Sequence, residues 1–436
     1  MSNSASQIAS SKANAPEDRF SIGPWPRLNL YTSASQYLTA FWELLSGKWR
    51  RGNAVNTLEA EFKASLASPH SVCTPTARVG IHLALKAITR PGQKVIMSPY
   101  TIADIVNMVI CAGAVPVFCD TVADGYNIDA TKVEALIEDD TAAVLATHFY
   151  GQACEIEQIS TICRAQEIAL VEDCAQALGA RVNGRHLGTF GDVGVFSFGM
   201  FKNVNSFLGG MVVTSDPQIE ADIREQISRF PLESRGRLVA VVIKAMITDL
   251  VTHPILFRTF FFRFFRFAFL RGIDAINNQL KIDVDPQCRT DLPEDYAKRM
   301  TPLQARLVSR GLESVAKHTQ ERIALAKIYH DGLADIPALT LPPFRDDGSC
   351  IYWYFPLIYP EREKLVSHAL RAGRDITPSY HRNCADLPCF AEYQRDCPNA
   401  RAAESSVIYL PTYPWYPQDE ALRTVRAIRE YFDQGR

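Results

Sequence analysis

Apolar residues in the first half of the chain follow two different spacings. Short β-rich runs read KVIMS, AVPVFCD, AAVLATHFYG, IALVEDCAQ, VGVFSFG and GGMVVTS. Helical apolar spacing occurs at residues 37–45, 57–66, 79–88, 102–112 and 156–166. Continuous apolar strands that alternate with helices are typical of a largely parallel sheet covered on both faces. The pattern therefore predicts an α/β protein built around such a sheet.

Four chemically active side chains lie at or just after the carboxyl ends of these predicted strands: Asp120, His148, Asp173 and Lys202. In open α/β sheets, ligands bind beyond these strand ends. The sequence therefore predicts a ligand site at this edge of the sheet.

Lys202 can be interpreted as a solvated loop charge. Asp173 can be interpreted as the N-cap of a helix, with Gln176, three residues later, completing a capping box. A more specific interpretation treats Lys202 and Asp173 as parts of one cofactor site. A lysine amine can bond to the aldehyde of pyridoxal 5'-phosphate (PLP), whose protonated ring then acts as an electron sink. A carboxylate favours the protonated ring, and backbone N–H groups with hydroxyls bind the phosphate. The candidates for these roles are Lys202, Asp173, and Ser197 with the turn at 74–80.

Composition excludes several other classes of function. The chain has 436 residues and a net charge of −2, so any basic surface must be local and no general nucleic-acid signature is present. The eleven cysteines form no C-x-x-C pair, which gives no indication of a metal site or a redox pair. They fit reduced thiols in the cytoplasm. The first 28 residues are polar, lack the apolar core of a signal peptide, and are expected to form a disordered tail.

The motifs VEDCAQALGA, GTFGDVGVFSFGMFKN and GGMVVT resemble the DegT/DnrJ/EryC1/StrS family of PLP-dependent sugar aminotransferases. The resemblance covers roughly residues 30–215 and 291–436. It implies a fold-type-I PLP-transferase: a large cofactor-binding domain, a smaller α/β C-terminal domain, and a homodimer with active sites at the subunit interface. It also implies an amino donor such as glutamate and a keto-sugar acceptor, usually nucleotide-linked.

The resemblance assigns roles to individual residues. Lys202 would hold the cofactor and move the proton during amino transfer, while Asp173 would pair with the ring nitrogen. Gln176 would touch the phenolic oxygen and Ser197 the phosphate. His148, in an H-x-x-G motif, would line the pocket. Some dehydratases of the family carry histidine in place of the lysine, so Lys202 favours amino transfer. A PLP-dependent sugar dehydratase and a non-catalytic PLP-binding regulatory protein at the membrane remain as alternatives.

Several positions depart from the family pattern. The usual S-G-T phosphate turn aligns with Thr76-Ala77-Arg78, where Arg78 would add a cation for the phosphate. The aromatic residue that stacks on the cofactor ring aligns with Ile102, and Tyr100 is a nearby substitute.

Two further departures affect phosphate binding and substrate choice. The asparagine that a neighbouring subunit lends to the phosphate aligns with Ala297, a loss for which Arg78 is a candidate compensation. Phe207-Leu208 stands where the family often has Gly-Glu.

The largest departure is an insertion rich in phenylalanine and arginine. The expected organisation is a tail (1–28), a PLP-binding domain (29–215), a helical insertion (216–290) and a C-terminal domain (291–436). Residues 257–271 hold eight phenylalanines and four arginines. At 100° per residue, one helix face would carry Phe257, Phe260, Phe261, Phe264 and Phe265, opposite Arg263 and Arg266.

Three interpretations of the insertion remain open. It is a hairpin packed on the body or on a dimer partner, an interfacial helix at a membrane surface, or a basic aromatic nucleic-acid site. The rest of the chain gives no sign of base recognition, so a nucleic-acid partner is not expected. Contact with a membrane through residues 254–271 would allow a lipid-linked keto sugar as an alternative acceptor.

Overall fold

A computed structural model describes residues 23–273 and 285–434. The strands in these ranges are β1 (His70–Thr74), β2 (Lys94–Met97), β3 (Tyr100–Thr101), β4 (Val115–Phe118), β5 (Thr141–Thr147), β6 (Ala169–Asp173), β7 (Arg181–Val182), β8 (Arg185–His186), β9 (Val193–Ser197), β10 (Gly210–Thr214), β11 (Phe355–Ile358), β12 (Thr377–Pro378), β13 (Arg382–Asn383) and β14 (Val407–Leu410). The longer helices are Ala34–Ser46, Ala54–Leu66, Ala77–Ile88, Ala103–Cys111, Ile156–Ala165, Pro217–Ser228, Arg235–Val251, Phe262–Leu270, Pro302–Leu312, Val315–Leu333, Arg362–Arg371, Pro398–Ser406 and Gln418–Gln434.

The central sheet has seven strands in the order β1-β10-β9-β6-β5-β2-β4. The run from β9 to β4 is parallel, whereas β10 is antiparallel to both of its neighbours. Parallel neighbours need a long crossover, usually a helix, and the chain between Ser197 and Gly210 forms none. The predicted α/β architecture with a mostly parallel sheet is confirmed, and the reversed strand is an addition to it.

Alternate residues of each strand enter two separate cores, one on each face of the sheet. In β10, Val212 joins one core, whereas Met211 and Val213 join the other. Helix Ala77–Ile88 packs on the first face and helix Ala54–Leu66 on the second. Because both faces are covered, the strand ends at the edges are the places where polar side chains can meet a ligand.

A smaller unit at the C-terminal end has its own sheet, in the order β11-β14-β12. Helices Val315–Leu333 and Gln418–Gln434 cover it, and their apolar residues share one core with Leu357 and Ile408. Helix Pro302–Leu312 instead contributes Ala305 and Val308 to the core beside helix Ala54–Leu66. The small unit therefore begins after this helix rather than at residue 291.

The N-terminal residues that the structure describes are bound to the body of the protein. The Gly23 N–H donates to the Arg258 carbonyl at 3.1 Å, and the Arg27 N–H donates to the Asp375 carboxylate at 2.8 Å. The Tyr413 hydroxyl donates to the Pro26 carbonyl at 2.9 Å. The expected disordered tail of 28 residues is therefore too long, because residues 23–28 are held; residues 1–22 lie outside the described range.

The insertion forms helix Arg235–Val251 and a second helix that starts at Pro254, passes through a π-helical turn at Phe257–Phe261 and continues as Phe262–Leu270. The prediction of one shared phenylalanine face is wrong, because the π turn changes the helical phase. Phe257 and Phe262 point inward and are buried, whereas Phe260, Phe264 and Phe267 are exposed. Residues 274–284 of the predicted insertion lie outside the described range.

Candidate active site

Three neighbouring strands form a cradle at the start of helix Ala77–Ile88. Gly210 pairs with Thr74 on one side and with Ser197 on the other. A Cβ atom at Gly210 would lie 2.6 Å from both the Ala77 nitrogen and the Thr74 hydroxyl oxygen. Only glycine permits this close approach, so the strand register places Ser197 beside the first turn of the helix.

The first turn of this helix suits an anion. The Thr76 hydroxyl accepts a hydrogen bond from the Val79 N–H at 3.3 Å and caps the helix. The opening N–H groups of a helix have no partners inside the helix, and its dipole favours negative charge there. Thr76, Ala77 and Ser197 therefore form a donor set that fits a phosphate group.

Asp173 ends β6 and is only 5% exposed. Its carboxylate accepts a hydrogen bond from the Ala175 N–H at 3.0 Å. Burial raises the pKa of Asp173, and the hydrogen bond and the positive charge of Lys202 oppose this increase. A buried carboxylate that is stabilised by a nearby cation is suited to hold a protonated ring nitrogen.

Lys202 lies in the turn after β9 and is partly buried. Burial lowers the pKa of its amine to about 8; the charge of Asp173 opposes this decrease, and that of Arg78 adds to it. The amine nitrogen lies 4.1 Å from the centroid of the Trp353 ring. The structure therefore brings Lys202 and Asp173 together and gives the amine a larger neutral fraction near neutral pH than an ordinary lysine has.

Sequence reasoning missed Trp353, which reaches the site from the start of the small unit. Its indole N–H donates to the Phe201 carbonyl at 3.2 Å, and its backbone N–H donates to the Tyr150 carbonyl at 2.8 Å. The only local signal was an aromatic cluster, YWYF at 352–355, which equally suits a core.

Gln176 lies beside a second residue that sequence reasoning missed, His381. The Gln176 carbonyl oxygen accepts from the Tyr150 N–H at 2.7 Å, so its amide NH₂ faces His381 Nε2 at 3.3 Å. His381 Nε2 must then be the acceptor. The ring proton lies on Nδ1, 2.8 Å from the Tyr409 hydroxyl oxygen. Burial, and to a lesser degree the charge of Lys202, lower the pKa of His381 to about 3, which agrees with a neutral ring.

His148 is fully buried behind Asp173 rather than exposed at the strand ends. Its Nε2 lies 3.2 Å from a Glu172 carboxylate oxygen, and its Nδ1 accepts from the Cys154 N–H at 3.3 Å. The Glu172 oxygens also accept from the N–H groups of Gly188 and Gly191 at 2.8 Å. The structure therefore gives His148 a bracing position within the core and not the expected place in the pocket lining.

The Arg78 guanidinium is bound by two neighbouring side chains and is not free to face the cradle. Its guanidinium forms an ion pair with Asp104 and donates to the Tyr296 hydroxyl at 3.1 Å. The guanidinium carbon, Cζ, lies 5.1 Å from the centroid of the Tyr296 ring. The idea that Arg78 compensates for Ala297 at a phosphate therefore finds no support in these contacts.

The candidates for the stacking position also differ from expectation. Ile102 is partly buried and precedes helix Ala103–Cys111. Tyr100 is fully buried, and its hydroxyl lies 2.7 Å from the hydroxyl oxygens of both Tyr150 and Ser379. The Tyr100 ring is therefore held in the interior, and Ile102 is the residue that an aliphatic contact with the cofactor ring would use.

Asp120 accepts hydrogen bonds from two N–H groups of helix Pro398–Ser406 and caps this helix.

A large cleft of about 1100 Å³ lies away from this site. It is lined by Ala169 and Asp192 at the amino ends of β6 and β9 and by Thr214 at the end of the reversed β10. These are the ends opposite to Asp173 and Ser197, so the cleft does not share the chemistry of Lys202.

Comparison with known proteins places these observations in a family. The model of the DegT/DnrJ/EryC1/StrS aminotransferase family matches residues 33–239 and 283–429. The chain belongs to this family. The unmatched residues between the two segments, 240–282, contain most of the phenylalanine-rich insertion.

Individual relatives agree with this assignment. The GDP-perosamine synthase of Vibrio cholerae is 38% identical over 392 residues, which cover 88% of this chain and 92% of that protein. DesV of S. venezuelae has a similar structure, with a TM-score of 0.70, 25% identity, and coverage of 91% of this chain and 94% of that one. The E. coli GDP-4-keto-6-deoxy-D-mannose-3-dehydratase, solved with bound hydrated PLP, shares the fold at 18% identity and a TM-score of 0.72, over 94% of this chain and 100% of that one.

These findings confirm the prediction of a fold-type-I, PLP-dependent sugar aminotransferase of this family. The cradle and the pair of Lys202 and Asp173 fit PLP: hydroxyl and N–H donors for its phosphate, an amine of lowered pKa for its aldehyde, and a buried carboxylate for its ring.

Proposed function

We propose that the enzyme transfers an amino group from glutamate to a keto sugar attached to a nucleotide, and that GDP is the nucleotide. One observation carries the chemistry: an amine with its pKa lowered to about 8 lies beside a buried carboxylate at the sheet edge. The choice of acceptor is supported by the 38% identity, over most of both chains, to a GDP-perosamine synthase. The lipid-linked acceptor is the alternative.

Each residue at the site has a proposed role. The Lys202 amine would hold the cofactor through its aldehyde. It would take the proton from the donor carbon in the first half-reaction and give a proton to the acceptor carbon in the second. Asp173 holds a proton at the ring nitrogen, and the Gln176 amide donates to the phenolic oxygen. Ser197 and the turn Thr76-Ala77-Arg78 hold the phosphate through hydroxyl and N–H groups, with Ile102 against the ring. PLP, when bound, supplies the aldehyde and the electron-withdrawing ring.

Neutrality of the Lys202 amine is the central requirement for these roles, because a protonated amine can neither bond to a carbonyl nor accept a proton. Burial raises the neutral fraction of the amine, and Trp353 covers the amine on one side. His381, as a hydrogen-bond acceptor, keeps the Gln176 amide in one orientation. Since His381 belongs to the small unit, that unit takes part in orienting the Gln176 amide.

The proposal also covers assembly and location. We propose a homodimer, as in the family, and a cytoplasmic protein. The cysteines of the described residues form no disulfide, which suits a reducing compartment. The oligomer is checked by light scattering on the purified enzyme, and the location by fractionation of the cells that produce it.

A mass measurement of the product tests the reaction. Purified holoenzyme is incubated with glutamate and a GDP-linked keto sugar, and the product is expected to carry an amino group in place of the oxo group. Loss of a hydroxyl without gain of nitrogen would establish the dehydratase alternative, and PLP inert toward every donor would establish the regulatory one. Turnover of a lipid-linked keto sugar alone would reject the nucleotide. Lys202→Ala is the control, which is expected to remain folded and inactive.

A further inference from the structure

The insertion helices and the N-terminal helix together expose a broad apolar surface. The outward faces of helices Ala34–Ser46, Arg235–Val251 and Pro254–Leu270 form what we call the apolar patch. Its large side chains include Trp42 at 63% exposure, Ile247 at 57% and Phe260 at 68%. Monomeric soluble proteins rarely expose contiguous apolar surface on this scale, and such a patch marks an interaction site.

The helices of the apolar patch are held to the body by their inner faces. Leu44 packs with Leu238 and Val242 in one buried cluster. The Tyr37 hydroxyl donates to the Asp249 carboxylate at 2.6 Å and joins the first two helices. Phe262 of the third helix is buried in the core of the small unit. These helices can therefore present their outer faces to a surface without leaving the protein.

The charge around the apolar patch is strongly positive although the whole chain has a net charge of −2. Between residues 235 and 271 there are seven lysine and arginine residues and a single acid, Asp249. A hollow of about 470 Å³ beside the patch is lined by Arg263, Arg266, Arg271 and Arg371 together with Phe267 and Leu270. Arginine binds phosphate through paired N–H donors, so this hollow fits a phosphate group next to an apolar phase.

We propose that the apolar patch lies in the surface of an anionic phospholipid bilayer, with lipid phosphates in the arginine-lined hollow. The exposed phenylalanines Phe260, Phe264 and Phe267 enter the acyl-chain boundary, and the arginines meet the headgroups. A second copy of the chain fits less well. A two-fold interface would place the same cationic surface against itself, with Asp249 already bonded to Tyr37.

The geometry favours a surface position over a spanning one. Within the described ranges, no single helix is long and apolar enough to cross a membrane. Helices Arg235–Val251 and Pro254–Leu270 reach that hydrophobicity only as a pair, and they are bent by 53°. Because the inner faces of both helices are packed on the body, the pair lies along the membrane surface. This inference does not depend on the amino transfer proposed above.

Flotation of the holoenzyme with vesicles tests the proposal. The enzyme is expected to float with vesicles of equal parts phosphatidylcholine and phosphatidylglycerol, less with phosphatidylcholine alone, and less at high salt. The triple variant Phe260→Ser, Phe264→Ser, Phe267→Ser should lower the partition coefficient about 100-fold. Leu422→Ser, on an exposed leucine of another helix, is the matched control and should float like the wild type.

A second variant examines the hollow and separates the outcomes. Arg263→Gln, Arg266→Gln, Arg271→Gln should lower binding to the anionic vesicles about 100-fold and weaken its salt dependence. Both triple variants are expected to keep bound PLP and turnover of a soluble acceptor, which shows that they fold. The proposal is overturned if the wild type does not float with either vesicle. It is also overturned if the serine variant floats unchanged, or if light scattering shows that this variant has only lost a partner copy.

Discussion

Replacing Asp173 with asparagine is expected to lower the pKa of the Lys202 amine in the cofactor-free protein below its present value of about 8. Burial lowers this pKa from 10.5, the charge of Asp173 opposes that decrease, and the charge of Arg78 adds to it. Replacing Arg78 with glutamine should therefore raise the pKa. The asparagine can still accept the Ala175 N–H, so the first variant removes a charge and keeps the local hydrogen bond.

The magnitude follows from the neutral fraction of the amine. With a pKa of about 8, about a quarter of the amine is neutral near pH 7.5, whereas an ordinary lysine of pKa 10.5 is about 0.1% neutral. Only the neutral form attacks an acylating reagent. The neutral fraction of the wild-type amine near pH 7.5 should thus be roughly 200-fold that of an amine with an ordinary pKa, and the pH dependence of labelling reports this fraction.

Competitive labelling with a trace of acetic anhydride measures this pKa without the cofactor. The protein is stripped of PLP and labelled between about pH 6 and pH 11, a span that brackets the ordinary lysine pKa. The acetylated peptide that contains Lys202 is quantified by mass spectrometry. The exposed Lys317 serves as the internal reference. Far-ultraviolet circular dichroism confirms that each variant is folded.

Two results would refute the reasoning. A wild-type midpoint near pH 10.5 would mean that Lys202 is not desolvated as the structure has it. A midpoint that moves in the same direction in Asp173→Asn and Arg78→Gln would mean that the two charges do not act on the amine through the arrangement described. Opposite movements of any size would support it.

Three further predictions concern the rest of the site. Between about pH 6.5 and pH 3, the unfolded chain binds a proton that the folded His381 excludes, so stability should fall with decreasing pH by up to about 1.4 kcal/mol per pH unit. His381→Gln should flatten this slope in denaturant titrations, and an unchanged slope would contradict the neutral ring. Gly210→Ala places a Cβ 2.6 Å from the Ala77 backbone nitrogen in the cradle and should weaken PLP binding at least about tenfold in equilibrium dialysis, unlike Gly236→Ala, whose Cβ meets nothing within 4 Å. Ala297→Asn introduces the amide that the family resemblance implies at this position and should tighten PLP binding in the same assay; no gain would show that a partner subunit does not place this residue at the phosphate.

The sequence by itself determined the strands, the helices and the edge of the sheet where the chemistry lies. These features depend on local spacing: unbroken apolar runs form buried strands, and the residues that follow parallel strands meet at one edge. Lys202, Asp173, Gln176 and Ser197 were identified in this way together with the family motifs, and the structure places them at neighbouring strand ends.

Only the tertiary structure showed which distant residues contribute to that site and which expected residues have their side chains bound elsewhere. Trp353 and His381 come from the small unit, and nothing in their local sequence distinguishes them from core residues. Arg78 has the right position in the sequence for a phosphate contact, but its guanidinium pairs with Asp104 and donates to the Tyr296 hydroxyl. The phenylalanines of the insertion divide between core and surface because a π turn and contact with the small unit set the helix phase. In each case long-range packing determines where a side chain points. The local spacing of residues in the sequence does not indicate which distant residue that side chain will contact.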